Sequence, residues 1–241
     1  MRTETATPQT TYQDNSLLKH LPELVREPLL AEARLEPLPV GTVLFEAGDV
    51  VRKVYFPVAG VISMVTSMMD GSVIELATVG REGLCGMPMA VGPGGVANLK
   101  AMSQIVGDSI TMDAGVFRRE LRKKDRLAEL VDQFQQALFM LVGQNAACNR
   151  LHTIDQRCAR WLLMTHDRVG ADQFRLTHEF LAQMLGSRRV SVTQAASSLQ
   201  ELGAISYQRG EITVLDRNKL LSRTCECYDV VTGAFAGLYK R

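Results

Sequence analysis

The chain has 241 residues, of which 46% are hydrophobic and 22% charged, and its formal net charge is +1. This length suffices for one large or two modest domains, and no apolar run reaches the roughly 18 residues that a membrane helix needs. The five cysteines are odd in number and scattered, so a disulfide framework is not expected and a reducing, cytoplasmic location is favoured.

The charge is distributed unevenly along the chain. Residues 1–149 contain 14 Lys/Arg and 17 Asp/Glu, a net charge of −3, whereas residues 150–241 contain 13 Lys/Arg and 9 Asp/Glu, a net charge of +4. The difference is small, but it indicates that a polyanionic partner would meet the C-terminal third of the chain.

The N-terminal segment divides into a polar leader and an apolar, periodic stretch. Residues 1–16 are expected to form a disordered leader. Leucines recur at helical spacing over Leu17–Glu36, which predicts a helix that Pro37 and Pro39 end.

From Val40 the pattern changes to short apolar runs separated by glycines. Asp70-Gly71 is a hairpin signal, and the β-branched run Val73–Val79 follows it. Further short strands are expected within Leu99–Met112. Strand-length segments at this spacing predict a β-sandwich or barrel-like roll within residues 17–115.

A long helix is predicted over residues 116–152, because 116–150 contain no proline and one glycine. Its apolar residues form an a/d seam. The seam consists of Leu127, Val131, Phe134, Leu138, Leu141 and Asn145, and continues to Cys148 and His152. The helix either lies on its own domain or forms a dimer, and the second interpretation is favoured. In a dimer, Asn145 would fix the register at some cost in stability.

The last third, residues 153–241, contains the strongest functional pattern. A helix over Thr153–Val169 is followed by a short helix after Thr177, a turn at Gly186 and a second helix from Arg189 to Leu202. Two short strands then flank a turn at Gln208-Arg209-Gly210. This order is typical of a winged helix-turn-helix, in which the N-terminal end of the second helix enters the major groove.

The residues at that end suit DNA contact. Arginine can pair with guanine, glutamine with adenine, and a valine can touch a thymine methyl, whereas hydroxyl side chains suit phosphates. The predicted base-reading residues are Arg188, Arg189, Val190 and Gln194, and the predicted phosphate contacts are Thr177, Ser187, Ser191, Thr193 and Arg209. Two helices that merely pack a core, with solvated arginines, are the alternative.

These motifs resemble the cyclic-AMP receptor protein/FNR (Crp/Fnr) family of bacterial transcription regulators over roughly residues 18–222. The motifs are Gly41-x-x-Leu44-Phe45-x-x-Gly48-Asp49, Leu181-Ala182-x-x-Leu185-Gly186, Arg189-x-Ser191-Val192-Thr193, Leu199-x-x-Leu202-Gly203-x-Ile205 and Gly210-x-Ile212-x-Val214-x-Asp216. The resemblance implies an α+β fold: a cyclic-nucleotide-binding-type β-roll (jelly roll), a long dimerisation helix and a C-terminal winged helix-turn-helix.

The chain departs from the family at the cyclic-nucleotide site. Members that bind cyclic AMP hold the ribose with a glutamate and the phosphate with an arginine. Met87 and Ala97 stand at those places, between Gly86 and Asn98. A buried phosphate without a cation is costly, so weak or no cyclic-nucleotide binding is expected, although the loop at Gly92–Gly95 could still offer amide donors. The family's N-terminal iron–sulfur cysteines are also missing, because the first cysteine is Cys85.

Other chemistry is weakly indicated. The pair Cys225-Glu226-Cys227 is expected to have a structural role or to lie at the surface, rather than to bind a metal. Cys85 and Cys148 are expected to be small core residues. The basic run from Arg118 to Lys124 is expected to be solvated, or alternatively to contact RNA polymerase. No catalytic set or P-loop is recognised, so an enzyme is not expected.

The sequence therefore predicts a homodimeric, sequence-specific DNA-binding regulator that reads an inverted repeat, with no cofactor or metal and an unidentified effector. The alternative is a small-molecule-responsive protein whose DNA binding depends on a cyclic nucleotide or another ligand.

Overall fold

A computed structural model describes residues 7–86 and 93–239. The helices are α1 (Pro8–Thr11), α2 (Ser16–Lys19), α3 (Glu23–Ala31), α4 (Ala114–Leu121), α5 (Arg126–Leu151), α6 (Ile154–Val169), α7 (His178–Met184), α8 (Arg189–Glu201), α9 (Arg217–Leu221) and α10 (Cys227–Gly237). The strands are β1 (Arg34–Leu38), β2 (Val43–Phe45), β3 (Lys53–Pro57), β4 (Val61–Ser67), β5 (Val73–Val79), β6 (Lys100–Ile105), β7 (Gly107–Asp113), β8 (Gln173–Arg175), β9 (Ile205–Gln208) and β10 (Glu211–Val214). The predicted α+β class is confirmed.

The predicted disordered leader is wrong for residues 7–16, whereas residues 1–6 lie outside the described residues. The segment folds into α1, a 3₁₀ turn at Tyr12–Asp14 and the start of α2. Asn15 accounts for the folding of this segment, because its buried side chain caps the N-terminus of α2. Its amide also donates to the carbonyl oxygens of Pro57 (2.9 Å) and Gly83 (2.8 Å). One polar residue thus ties the leader to the roll.

The predicted helix over Leu17–Glu36 is wrong at its C-terminal end. The helical stretch is divided into α2 and α3, and Arg34 to Glu36 belong to β1 instead. Strand β1 pairs antiparallel with β7, with Leu35 opposite Ile110. Local leucine spacing could not reveal a strand partner so distant in the sequence.

The roll consists of two sheets with strand orders β1-β7-β3 and β2-β6-β4-β5. Its core includes Phe56, Ile62 and Ile110, which are fully buried. The predicted hairpin between β4 and β5 is present: Gly71 has φ +82°, and the amide of Met68 donates to the carbonyl of Ser72 across 2.8 Å. Glycine suits this turn because other residues rarely adopt positive φ.

The predicted long helix is divided in two. Helix α4 ends at Leu121 and α5 begins at Arg126. Between them Lys124 adopts φ +53°, a left-handed conformation, and the carboxylate of Asp125 accepts from the amide of Leu127 at 2.9 Å. The break was not predictable from glycine or proline, because neither residue occurs there.

The chain divides into two compact units. One contains the described residues up to Ser63, Thr78–Ala137 and those from Phe235 onwards, and the other contains Met64–Ala77 and Leu138–Ala234. The sequence placed the β4–β5 hairpin in the sensor roll, whereas this division groups its tip with the C-terminal residues. The boundary also falls inside α5, between Ala137 and Leu138.

The C-terminal unit is built from well-capped helices. Thr153 and Gln156 form a capping box at α6, and Gly170 ends that helix with φ +68°. Strand β8, which the sequence analysis missed, pairs with β10 to give a sheet of order β8-β10-β9. No helix among residues 7–86 and 93–239 is long and apolar enough to cross a membrane.

Candidate nucleic-acid interface

Helices α7 and α8 and the turn between them follow the prediction closely. The hydroxyl oxygen of Thr177 accepts from the amide of Phe180 at 3.1 Å and begins α7. Gly186 has φ +54° in the turn. The inner face of α8 is buried and consists of Val192, Ala195, Ala196 and Leu199. This packing leaves the opposite face of α8 exposed.

The four predicted base-reading residues all lie on that exposed side. Arg188, Arg189, Val190 and Gln194 are exposed, and Val190 keeps 68% of its surface accessible. The nearest carboxylate to Arg189 is that of Glu179, at 3.8 Å, and both side chains are largely exposed. Such a pair contributes little, so the guanidinium can exchange it for a base or phosphate.

The predicted phosphate contacts fall into two groups. The hydroxyl of Thr193 lies 3.1 Å from Nδ1 of His178 and 3.0 Å from the carbonyl oxygen of Arg189, so it already has partners within the domain. Ser187 and Ser191 are half-buried, and Thr177 is exposed. As an N-cap, Thr177 uses its hydroxyl as an acceptor, which leaves its hydrogen available to a phosphate.

Arg209 lies at the tip of the β9–β10 hairpin. It is exposed and has φ +52°, and Gly210 has φ +79°. Positive φ at both central residues is the geometry of a type I′ two-residue turn. This turn projects Arg209 beyond the wing.

Sequence reasoning missed the role of His178 in joining the wing to α7. Its ring stacks on Tyr207 of β9, with centroids 4.0 Å apart, and its backbone amide donates to the Tyr207 hydroxyl at 3.2 Å. Burial lowers the pKa of His178, and the nearby Arg189 lowers it further. The neutral imidazole is therefore the form that this packing favours.

The turn between α7 and α8 packs against residues of the β4–β5 hairpin in the same compact unit. A Cβ at Gly186 would lie 2.8 Å from the Cδ1 of Ile74. The indole N–H of Trp161 donates to the carboxylate of Glu75 at 2.8 Å, and both side chains are buried. The hairpin thus contacts the helices that position α8.

The predicted dimer seam is buried within the single chain. Leu127, Val131, Phe134, Leu138 and Leu141 are each at most 4% exposed. Asn145 donates to the carbonyl oxygen of Leu76 at 2.8 Å and accepts from Arg160 at 2.6 Å. The seam assignment is therefore wrong: these side chains pack inside their own chain, and Asn145 is unavailable to set a dimer register.

The opposite face of α5 carries an exposed stripe at the same heptad spacing. We call it the outer stripe; it consists of Asp132, Gln136, Phe139, Gly143, Ala146 and Arg150. Phe139 is 81% exposed. Small residues at the two following positions allow another helix to approach closely.

Three of the four predicted effector residues, Gly86, Ala97 and Asn98, lie among the described residues. Gly86 has φ +116°, and a Cβ there would lie 2.8 Å from the carbonyl oxygen of Lys53. Ala97 is buried and its amide donates to the carbonyl of Asp49 at 2.8 Å, whereas Asn98 is exposed. Met87 lies outside the described residues. A groove of about 420 Å³ on the roll is lined by Leu44, Phe45, Asp49, Val50, Arg52, Lys53 and Tyr55. Its lining includes Asp49 and Lys53, whose carbonyl oxygens lie next to Ala97 and Gly86.

The basic run before α5 is partly paired. Glu120 is buried and forms ion pairs with Arg119 and Lys123. These cations, Lys123 foremost, hold the pKa of the Glu120 carboxyl below its ordinary value. A contact of this run with RNA polymerase stays a prediction.

Sequence reasoning also missed a group of metal-ligand side chains. Cys148 and His152 stand one turn apart at the end of α5, and the fold brings Cys225 and Cys227 to them. The four-residue spacing of Cys148 and His152 was a usable signal. The Cys-x-Cys pair was considered on its own, because local spacing could not show that Cys225 approaches Cys148, which lies 77 residues earlier in the chain.

Comparison with known proteins supports the DNA-binding assignment. Residues 156–223 match the family described as the Crp-like helix-turn-helix domain. A search of the curated proteins finds no match.

Solved structures share the fold over most of the chain. A protein described as a transcriptional regulator of the Crp/Fnr family from Eubacterium rectale is 19% identical, with 88% of this chain and 98% of that chain covered and a TM-score of 0.65. FixK2 from Bradyrhizobium japonicum is 17% identical, with coverages of 80% and 98% and a TM-score of 0.67. The c-di-GMP-responsive regulator CLP from Xanthomonas campestris is 15% identical, with coverages of 80% and 99% and a TM-score of 0.65.

Residues 156–223 thus match a helix-turn-helix domain of the Crp-like kind. The described chain has the fold of Crp/Fnr-family transcription regulators, and the resemblance predicted from the sequence motifs is confirmed.

Proposed function

We propose that the protein is a homodimeric regulator that binds a specific inverted-repeat DNA sequence. The observation that carries the proposal is the exposed N-terminal end of α8, with Arg188, Arg189, Val190 and Gln194 on the side opposite its buried face. Arginine and glutamine recognise guanine and adenine edges in the major groove, and the Val190 methyls can contact thymine. Arg209, on the wing, would contact the backbone.

The outer stripe of α5 is the dimer surface in this proposal. Phe139 would be its apolar anchor, because a large exposed aromatic side chain gains most from burial against a partner. Gly143 and Ala146 would let the two helices approach closely. A two-fold dimer requires two half-sites about one helical turn, roughly 34–36 Å, apart.

Cyclic AMP is not the expected effector. An arginine at the position of Ala97 would be needed to neutralise the phosphate, and Ala97 is buried with its amide engaged. Isothermal calorimetry with cyclic AMP and cyclic GMP should therefore show no micromolar binding. Micromolar affinity would instead favour the ligand-dependent alternative.

The experiment is selection from random-sequence duplex DNA with the ligand-free, full-length protein at about physiological salt. Salt is essential because phosphate contacts alone give non-specific binding. The expected result is an enriched inverted repeat. Arg189→Ala should select the same repeat with one base position relaxed in each half-site, and Arg34→Ala should leave it unchanged, since Arg34 is an exposed arginine of the roll. An enriched sequence without two-fold symmetry would contradict the proposed dimer. Non-specific DNA binding by every variant, even in the presence of candidate effectors, would contradict sequence-specific recognition.

A further inference from the structure

The side chains of Cys148, His152, Cys225 and Cys227 converge in the C-terminal unit. Their ligand atoms all lie within 4.8 Å of one another. Sγ of Cys148 and Sγ of Cys225 are 3.6 Å apart, and Sγ of Cys227 is 3.5 Å from Nδ1 of His152. A tetrahedral zinc ion with ordinary Zn–S and Zn–N bonds would set these separations at about 3.8 and 3.6 Å.

We propose that these four residues bind one zinc ion in a closed, structural Cys₃His site. Three thiolates and one imidazole complete a tetrahedron and leave no position for a substrate or water. The three cysteines are at most 5% exposed, and the His152 side chain is 16% exposed. The ion would join the segment that precedes α10 to the end of α5.

The backbone presents the ligands in two pairs. The amide of His152 donates to the carbonyl of Cys148 at 3.1 Å, which keeps the two side chains one helical turn apart on the same face. Cys227 is the first residue of α10, and Cys225 stands two residues before it.

Hydrogen-bonding side chains outside the cluster orient two of its four ligands. The carboxylate of Glu226 lies 3.2 Å from Nε2 of His152, so Nδ1 is the nitrogen that faces the sulfurs. A carboxylate behind a metal-binding histidine fixes its tautomer and raises its basicity. The amide of Gln144 donates to Sγ of Cys227 at 3.0 Å. Both arrangements are those expected around a metal centre.

The charges nearby also favour a bound metal. A divalent cation bound by three thiolates would displace three thiol protons and leave the site with a net charge of −1. The Arg160 guanidinium, which is close enough to Cys148 to interact with it electrostatically, is 5% exposed and forms no ion pair with any described carboxylate. The metal–thiolate centre would supply its counter-charge.

The competing outcome is a disulfide between Cys148 and Cys225. It would require the two sulfurs to move from 3.6 Å to about 2.05 Å. It would also require an external oxidant, and it would leave Cys227 and His152 without a shared partner. Zinc uses all four ligands and needs no oxidant.

The test is the metal content of the untagged, full-length protein, purified under reducing conditions without chelators. Elemental mass spectrometry should find about one zinc ion per chain. Cys148→Ser and Cys225→Ser should bring this value close to zero. Cys158→Ser is the matched control, because Cys158 is equally buried but lies outside the cluster, and it should retain the ion.

Two measurements do not depend on the folding of the cysteine variants. Cobalt(II) added to the metal-free wild-type chain should give the thiolate charge-transfer and tetrahedral d–d absorption bands, and zinc-edge X-ray absorption should show three sulfur neighbours and one nitrogen. Replacing the exposed Glu226 by alanine should weaken zinc about 10–100-fold in competition with a chelator. A shell of oxygen and nitrogen only, the absence of metal uptake, or a Cys148–Cys225 disulfide in reduced protein would overturn the proposal.

Discussion

The two faces of α5 have the same heptad spacing and opposite surroundings. On the inner face Phe134 is fully buried, whereas on the outer stripe Phe139 is 81% exposed. The inner face takes its partners from the same chain, as Phe134 does with Phe235, whose ring centroid is 6.0 Å away. A heptad pattern therefore identifies a helix face that is buried, but it does not say whether the face is buried by its own chain or by a second one. The exposed apolar residue on the opposite face indicates where a second chain would bind.

The strongest test of this comparison is Phe134→Ala on the inner face. The Phe134 ring fills the space next to Gly83, where even a Cβ would collide with it. Removing the ring should lower the free energy of unfolding by about 3–5 kcal/mol, because a buried aromatic leaves a cavity. Urea unfolding followed by circular dichroism measures the change. A loss below about 1 kcal/mol would mean that the inner face is not a packed core.

The complementary substitution is Phe139→Ser on the outer stripe. Because Phe139 is exposed in the single chain, helical content should be unchanged while the dimer weakens. An aromatic anchor at an interface contributes about 2 kcal/mol or more, which corresponds to roughly a thirtyfold rise in the dimer Kd. Sedimentation equilibrium measures the Kd. Leu24→Ser is the matched control, because Leu24 is 91% exposed on α3; equal Kd values for the two variants would rule out the outer stripe as the interface.

The sequence predicted the local elements of the C-terminal unit well and the partners of α5 poorly. Thr177, Gly186 and Gly203 each have a local conformational role, as N-cap or as positive-φ glycines, so the turn and both helices could be predicted. Whether Leu141 packs on its own chain or on a partner depends on contacts distant in sequence, which local patterns do not reveal. The approach of Cys225 to Cys148 was not predicted for the same reason.

Helix α8 repeats the contrast between inner and outer faces on a smaller scale. Val192 is fully buried, whereas Arg189 is exposed at the N-terminal end. Arg189→Ala should reduce operator affinity by about 1–3 kcal/mol and relax specificity at one base pair, without changing the thermal midpoint. Fluorescence anisotropy with the selected operator and with single-base variants measures both effects. Arg34→Ala is the charge-matched control. Operator affinity unchanged by Arg189→Ala would mean that Arg189 does not read a base.

The smallest expected effect concerns the pH dependence of stability at His178, on the inner side of the interface. Burial, aided by Arg189, lowers its pKa in the folded protein below the ordinary histidine value of about 6.5. As the pH falls below about 6.5, the unfolded chain therefore takes up a proton that the folded chain resists, and stability is lost down to the folded pKa. Above about 6.5 this contribution is constant.

The measurement is the free energy of unfolding of the wild type and of His178→Gln between about pH 5 and 8. Subtracting the two curves cancels the other histidines, which both proteins share. The wild type should lose more stability than the variant as the pH falls, since glutamine does not titrate. Parallel curves would show that the packing of His178 on Tyr207 does not select the neutral imidazole, and a steeper loss in the variant would reverse the sign of the inferred shift.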